Sequence, residues 1–269
     1  LFDIGGVCVV SPFQAILDYE ISHGIPPGWI NYTISRTRPS TWHLLERNEI
    51  PVSTAFYTSF TRDLTNASLW PTFYALALSR DPSLPPTTPP VPSVDGEELF
   101  WKMMDKSRTL DPWMYPALLA LKESKKYILA ALSNTIIFPE EHPYANPAPE
   151  KDVRRLFDVF VSSAHVGLRK PDVRIYELAL EMVNDYAQKE GKLGEGKGIE
   201  AGDVVFLDDI GENLKTGRMV GFRTIKVKLG RAFEAVDELE EVTGMRLAGD
   251  HPRVPVLPVV NKKGREEKL

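Results

Sequence analysis

The sequence predicts an α/β protein, a parallel sheet with helices on both faces, interrupted early by an all-helical insertion. Three observations predict it. From Pro112 onward, short apolar runs alternate with amphipathic stretches, the rhythm of right-handed crossovers in a parallel sheet. From Phe13 to about Leu110 the spacing is helical, with no convincing strand. Finally, polar groups stand at or just past the ends of four apolar runs, as expected where parallel strands end along one ligand-binding edge.

In chain order, the first strand ends near Val10, and Ser11-Pro12 turns the chain into the insertion. Phe13–Leu17 opens a helix, and Ile25-Pro26-Pro27-Gly28 breaks the chain before the next, where Trp29, Ile30 and Ile34 share a face. Ser40–Glu46 forms a further helix, and Ser53 is placed to cap one running through Phe56 and Phe60. The prolines between Asp81 and Val94 make an extended loop, and a helix resumes through Leu99, Phe100 and Met103. Pro116–Glu123, Arg174–Ala187, Gly211–Met219 and Phe233–Val242 are helical; Tyr127–Leu132, Phe157–Ser163, Val204–Leu207 and Thr224–Val227 are strands. Gly191–Gly198 is a glycine- and lysine-rich loop, and His251–Leu269 a mobile tail. The expected division is a core of 1–11 and 112–248, an insertion of 12–111 and a disordered tail of 249–269.

The 269 residues, 43% of them hydrophobic, suffice for one large core with a sizeable insertion. A net charge of −5 with scattered basic residues gives no support for nucleic-acid binding. No apolar run approaches the roughly 20 residues that span a bilayer, so no membrane role is expected. Cys8 is the only cysteine, which excludes an intrachain disulfide and fits a reducing compartment, with the cytoplasm as default. Leu1 opens the chain inside a strand, so a short preceding piece is expected to be missing. Oligomeric state is open.

The four strand ends carry complementary chemistry. Asp3, after Leu1-Phe2 and before Gly5-Gly6, can attack phosphorus, while the glycines let the backbone approach a phosphate; a turn-capping Asp is the plain alternative. Ser133 and Asn134, after Ile128–Leu132, can donate to phosphate oxygens or simply cap a helix. Lys170, within Gly167-Leu168-Arg169-Lys170-Pro171-Asp172, can neutralise charge shared by nucleophile and phosphate, or be a solvated lysine. Asp208 and Asp209, directly after Val-Val-Phe-Leu, would repel each other unless a cation relieved them, and magnesium with its oxygen ligands fits. Asn213 lies one helical turn beyond, within reach of a carboxylate.

Together these segments resemble the haloacid dehalogenase superfamily, with its DxD, strand-end Ser or Thr, Lys and acidic pair. They are similar in particular to the phosphatase-like N-terminal domain of soluble epoxide hydrolases, a likeness carried also by Trp42–Pro51 and Phe206–Lys215. The resemblance implies a Rossmann-like core with a helical cap inserted after the first strand. It implies Asp3 as nucleophile, Ser133 with Asn134 as phosphoryl binders and Lys170 as charge clamp. Mg2+ would be held by Asp3, the Gly5 carbonyl and Asp209, with Asp208 directly or through water. The implied activity is a phosphatase acting on a small phosphorylated metabolite. No α/β-hydrolase half follows in this sequence, so epoxide hydrolysis is not implied.

One residue departs from the pattern: Gly5 stands where such phosphatases usually carry the general-acid Asp, whose help is typically worth about 10²–10⁴-fold. Two alternatives therefore stand beside the phosphatase, a weak or inactive binding relative and a metal-independent haloacid dehalogenase. Trp29, Tyr32, Trp42, His43 and Phe56 are candidate substrate-lining residues of the insertion, although aromatics at helical spacing more often form core.

Overall fold

The computed structural model describes residues 1–148, 152–194 and 197–256. Within them the chain forms two compact units: Leu1–Ser11, Glu46–Glu49 and Ser107–Val256 make the first, and Pro12–Leu45 with Ile50–Lys106 the second.

The first unit is built on a parallel sheet. Strands β1 (Ala130–Ser133) and β2 (Val159–Ser162) pair with Ser133 opposite Ser162. Strands β3 (Val205–Asp208) and β4 (Arg223–Lys226) pair with Asp208 opposite Lys226. The opening residues join the two pairs: Phe2 bridges Ala131 on one side and Leu207 on the other, both in parallel. Strand order across the sheet is therefore β2, β1, the Phe2 segment, β3, β4. The Phe2 amide donates to the Ala130 carbonyl at 2.9 Å, and the Asp3 amide to the Leu207 carbonyl at 2.8 Å.

The opening strand is far shorter than the expected run to Val10. The Gly5-Gly6 pair turns the chain at once, so that Cys8 and Val9 amides both return to the Ile4 carbonyl. Gly6 takes φ +77°, in the left-handed region that glycine enters without penalty. Val9 then pairs antiparallel with Leu110, where the insertion returns.

Apolar residues cover both faces of the sheet. On one, Phe2, Val7, Ala131, Leu207 and Ile225 meet α7 (Met114–Ser124) and α11 (Ala232–Thr243). On the other, Leu132, Val161 and Phe206 meet α9 (Val173–Lys189), whose Ile175, Tyr176, Ala179, Val183 and Ala187 form one buried stripe. There α10 (Gly211–Val220) lies close to β3, since a Cβ on Gly217 would stand 3.0 Å from the Phe206 ring. A short helix, α8 (Ser163–Val166), follows β2 directly and was not anticipated from sequence.

Residues 249–256 of the expected tail have main-chain bonds to the first unit. Trp113 Nε1 donates to the Pro252 carbonyl at 3.1 Å and the Val256 amide to the Gly230 carbonyl at 2.9 Å, which hold that stretch on the first unit. Residues 257–269, and 195–196 of the glycine-rich loop, lie outside the described residues.

The second unit is all-helical: α1 (Pro12–Ser22), α2 (Trp29–Arg36), most of α3 (Thr41–Glu46), α4 (Thr54–Leu64), α5 (Trp70–Arg80) and α6 (Gly96–Lys106). Ser53 caps α4 by accepting from the Phe56 amide at 3.3 Å. Its core is aromatic. Trp29 packs edge-on against Trp70, and Phe56 stacks on Phe60. Trp29 and Phe56 are thus core side chains, with Trp29 Nε1 donating to the Leu64 carbonyl; Tyr32 and Trp42 pack on Phe73 and Phe60. Among the described residues, no helix is long and apolar enough to cross a membrane.

Candidate active site

Because every strand of the sheet runs the same way, all strand C-termini share one edge. Asp3, Ser133 and Asp208-Asp209 leave from three adjacent strands at that edge, and Lys170 arrives from the loop before α9. The Lys170 ammonium is fully buried, 2.6 Å from Asp208 Oδ2 and 2.9 Å from Asp3 Oδ2. Ligand oxygens of Asp3, Asp208 and Asp209 lie within 4.8 Å of one another. The four segments, whose outermost members Asp3 and Asp209 lie 206 positions apart in sequence, therefore meet at one point.

Each group is held in a specific way. Asp3 is buried, its Oδ1 accepting from the Ile4 amide at 2.7 Å while Oδ2 faces Lys170. Burial raises its carboxyl to about 6, against the opposing pull of the Lys170 charge. Burial works to lower the Lys170 pKa, but the charges and hydrogen bonds of Asp208 and Asp3 together outweigh it and hold the ammonium above its ordinary value. Asp209 is half-buried and pushed well above the usual carboxylate range, by desolvation first and then by the negative charges of Asp3 and Asp208. Its Oδ2 sits 3.5 Å from the Ser11 hydroxyl and would lie 2.3 Å from a Cβ on Gly6. Gly6 is thus required twice, for its backbone conformation and for the approach of Asp209.

The Asp208 carboxylate is engaged by the protein on both oxygens. Its oxygens accept from Lys170 Nζ, from the Ile210 amide at 2.8 Å and from Asn213 Nδ2 at 3.0 and 3.1 Å. These contacts occupy the roughly four lone-pair positions of a carboxylate. Asp208 therefore anchors Lys170 and Asn213. Asn213 is held in turn by α9, whose Tyr176 hydroxyl donates to its carbonyl at 2.9 Å.

The Asn134 side-chain amide clamps the Lys170 backbone, accepting from the amide at 2.8 Å and donating to the carbonyl at 3.2 Å. Ser133, by contrast, is buried at the end of β1 with no hydrogen bond to its hydroxyl among the described residues. Gly5 sits in the turn between Asp3 and Val9, without a side chain to donate a proton. Sequence reasoning singled out the Gly5-Gly6 pair but missed Ser11 and Ser163, since isolated serines in a first loop and after a strand carry no signal.

The donor set suits magnesium, since it consists of hard oxygens, two of them on carboxyls whose ionisation burial and like charge oppose. A bound cation is what would relieve Asp209.

No family model matches the chain. Against curated proteins it is 31% identical over 162 residues to bifunctional epoxide hydrolase 2 from Sus scrofa, covering 60% of this chain and 25% of that protein. It is 27% identical over 265 residues to acyl-CoA dehydrogenase family member 10 from Mus musculus, covering 97% of this chain and 20% of that one. The chain thus spans a quarter or less of these relatives. Among solved structures it is similar to a HAD-like family hydrolase from Porphyromonas gingivalis, with TM-score 0.48 and 15% identity over 91% of this chain and 97% of that one. It is similar also to a HAD family enzyme from Bacteroides thetaiotaomicron in complex with magnesium and inorganic phosphate, with TM-score 0.45 and 17% identity over 85% and 93%. An α/β chain with its acidic and basic groups at one sheet edge, it resembles the haloacid dehalogenase superfamily and, in sequence, the bifunctional epoxide hydrolases.

Proposed function

We propose that the chain is a magnesium-dependent phosphatase that hydrolyses a small phosphate monoester through an aspartyl-phosphate on Asp3. The observation that carries the reading is the meeting of Asp3, Lys170 and Asp209 at one edge of the sheet. In the first step an Asp3 carboxylate oxygen attacks phosphorus and the bond from phosphorus to the ester oxygen breaks, releasing the alcohol once that oxygen takes a proton. In the second, water attacks the aspartyl-phosphate, the phosphoryl leaves as inorganic phosphate, and the Asp3 carboxylate is restored.

Lys170 opposes the repulsion between an anionic nucleophile and an anionic phosphate, and its burial strengthens that effect. The Ser133 hydroxyl donates to a phosphoryl oxygen, and Asn134 keeps Lys170 aimed. Asp3 and Asp209 would hold magnesium with the Gly5 carbonyl, and the metal would supply charge neutralisation at the phosphoryl oxygens. The helical insertion takes the cap role that the resemblance implies.

Gly5 favours a second reading, a relative that binds magnesium and phosphate but turns over slowly, because no side chain there protonates the leaving oxygen. An aryl phosphate separates the two, since its leaving group needs little protonation. Hydrolysis that requires magnesium and vanishes in Asp3→Asn supports the phosphatase. Magnesium binding with no turnover supports the second reading. Chloride release from 2-chloropropionate without metal would replace both with dehalogenation.

A further inference from the structure

We propose that Glu46, which belongs to the first unit, is a positioning residue that holds the lysine loop against the phosphate-binding turn. The proposal rests on the phosphatase reading and gives a role to a residue outside the acidic cluster.

Glu46 is buried and makes two unlike contacts. Its side chain accepts from Arg169 Nε at 2.7 Å, an ion pair whose members are 9% and 20% exposed. Its main-chain carbonyl accepts from the Ser163 hydroxyl at 2.6 Å. Ser163 is fully buried at the start of α8, and its oxygen also accepts from the Thr135 amide at 2.8 Å. Arg169 immediately precedes Lys170, and Thr135 immediately follows Asn134. One residue therefore ties down both neighbours of the Asn134–Lys170 clamp, one through charge and the other through a hydroxyl.

Stability is a poor explanation for such a pair. Replacing a half-buried ion pair by apolar groups is often neutral or favourable, because desolvation offsets the attraction. Geometry explains it better. The Lys170 ammonium must sit between two carboxylates 2.6 and 2.9 Å away, and displacement by about 1 Å can cost about 10²-fold in rate. With Asn134 holding its backbone from one side, the loop still needs a restraint on residue 169, and Glu46 supplies it.

The test uses Glu46→Gln, Arg169→Gln and the double variant in the full chain, with an aryl phosphate as probe. Glu46→Gln keeps the main-chain bond to Ser163 and removes only the charge. It should lower kcat about tenfold while KM and the half-saturating magnesium stay within about twofold. Because the two residues act as a unit, the double variant should cost no more than either single one. Unchanged kcat per folded molecule, or losses that multiply, overturns the proposal. If the unaltered protein hydrolyses no phosphate ester, the phosphatase reading fails by itself. Positioning is then read from hydrogen exchange of the Lys170 amide, expected to be about tenfold faster in Glu46→Gln, and an unchanged rate overturns it.

Discussion

Replacing Lys170 by Met keeps the length of the side chain and deletes its charge, which tests the electrostatic account of the site most directly. In the native protein the ammonium has no solvent exposure and lies 2.6 Å from Asp208 and 2.9 Å from Asp3. Without it, two buried carboxylates face each other, with Asp209 close by. Removing one partner of a buried ion pair typically costs about 3–5 kcal/mol. The cost should depend on pH in a definite direction. Asp3 already has its carboxyl raised to about 6 by burial, so the native state binds that proton more tightly than the unfolded chain does. Its contribution to stability is fully present below the ordinary carboxylate pKa and is lost as pH rises through about 6. Deleting the ammonium raises Asp3 further, so the loss deepens and extends to higher pH. Urea denaturation of the magnesium-free protein should therefore show a larger penalty for Lys170→Met at about pH 8 than at about pH 5. Adding Asp208→Asn should recover part of it by removing one of the stranded charges. A penalty below about 1 kcal/mol at the higher pH, or one of equal size at both, would refute the reasoning.

Other outcomes follow from the same geometry. Gly6→Ala places a Cβ 2.3 Å from Asp209 Oδ2 in a left-handed backbone, and should raise the half-saturating magnesium about tenfold and lower stability by about 1–2 kcal/mol, measured by metal titration and denaturation. Gly5→Asp should raise turnover more on alkyl than on aryl phosphates, by up to about 10²-fold; equal gains on both would remove the missing-acid explanation. In the helical unit, Glu20 accepts from the Gly28 and Ile30 amides, yet burial raises its carboxyl to about 7. The native state thus favours its protonated form, and stability of that unit should fall as pH rises from about 4.5 through about 7, a dependence that Glu20→Gln should flatten in a pH series of unfolding curves.

The strand-end groups were legible because each follows a run apolar enough to be buried on both sides of a sheet. Val204–Leu207 before Asp208-Asp209 is the clearest, and parallel topology then brings such ends together. The Ser53 cap and the Arg174–Ala187 helix were legible from local signals for the same reason. The division of labour within the site was not. Nothing in Ser133-Asn134 distinguishes a hydroxyl left open from an amide spent on Lys170, since the partner lies 36 positions away. Asp208 and Asp209 look alike in sequence, but the lysine that engages Asp208 lies 38 positions away, so no local signal tells which of the two is bonded. The Glu46–Arg169 pair spans 123 positions and belongs to no local pattern.

The opening segment holds its place through main-chain bonds on both sides, Phe2 to Ala130 and Leu132, and Leu1 and Asp3 to Leu207. Slipping it by a single position would turn the side chain of Asp3 to the opposite face, away from Lys170 and into apolar packing. A deletion or insertion of one residue there should thus abolish catalysis outright, while changes of comparable size in the proline-rich loop 81–94 leave the reacting groups in register. Tolerance to length change across this chain is set by distance from one short, doubly paired segment.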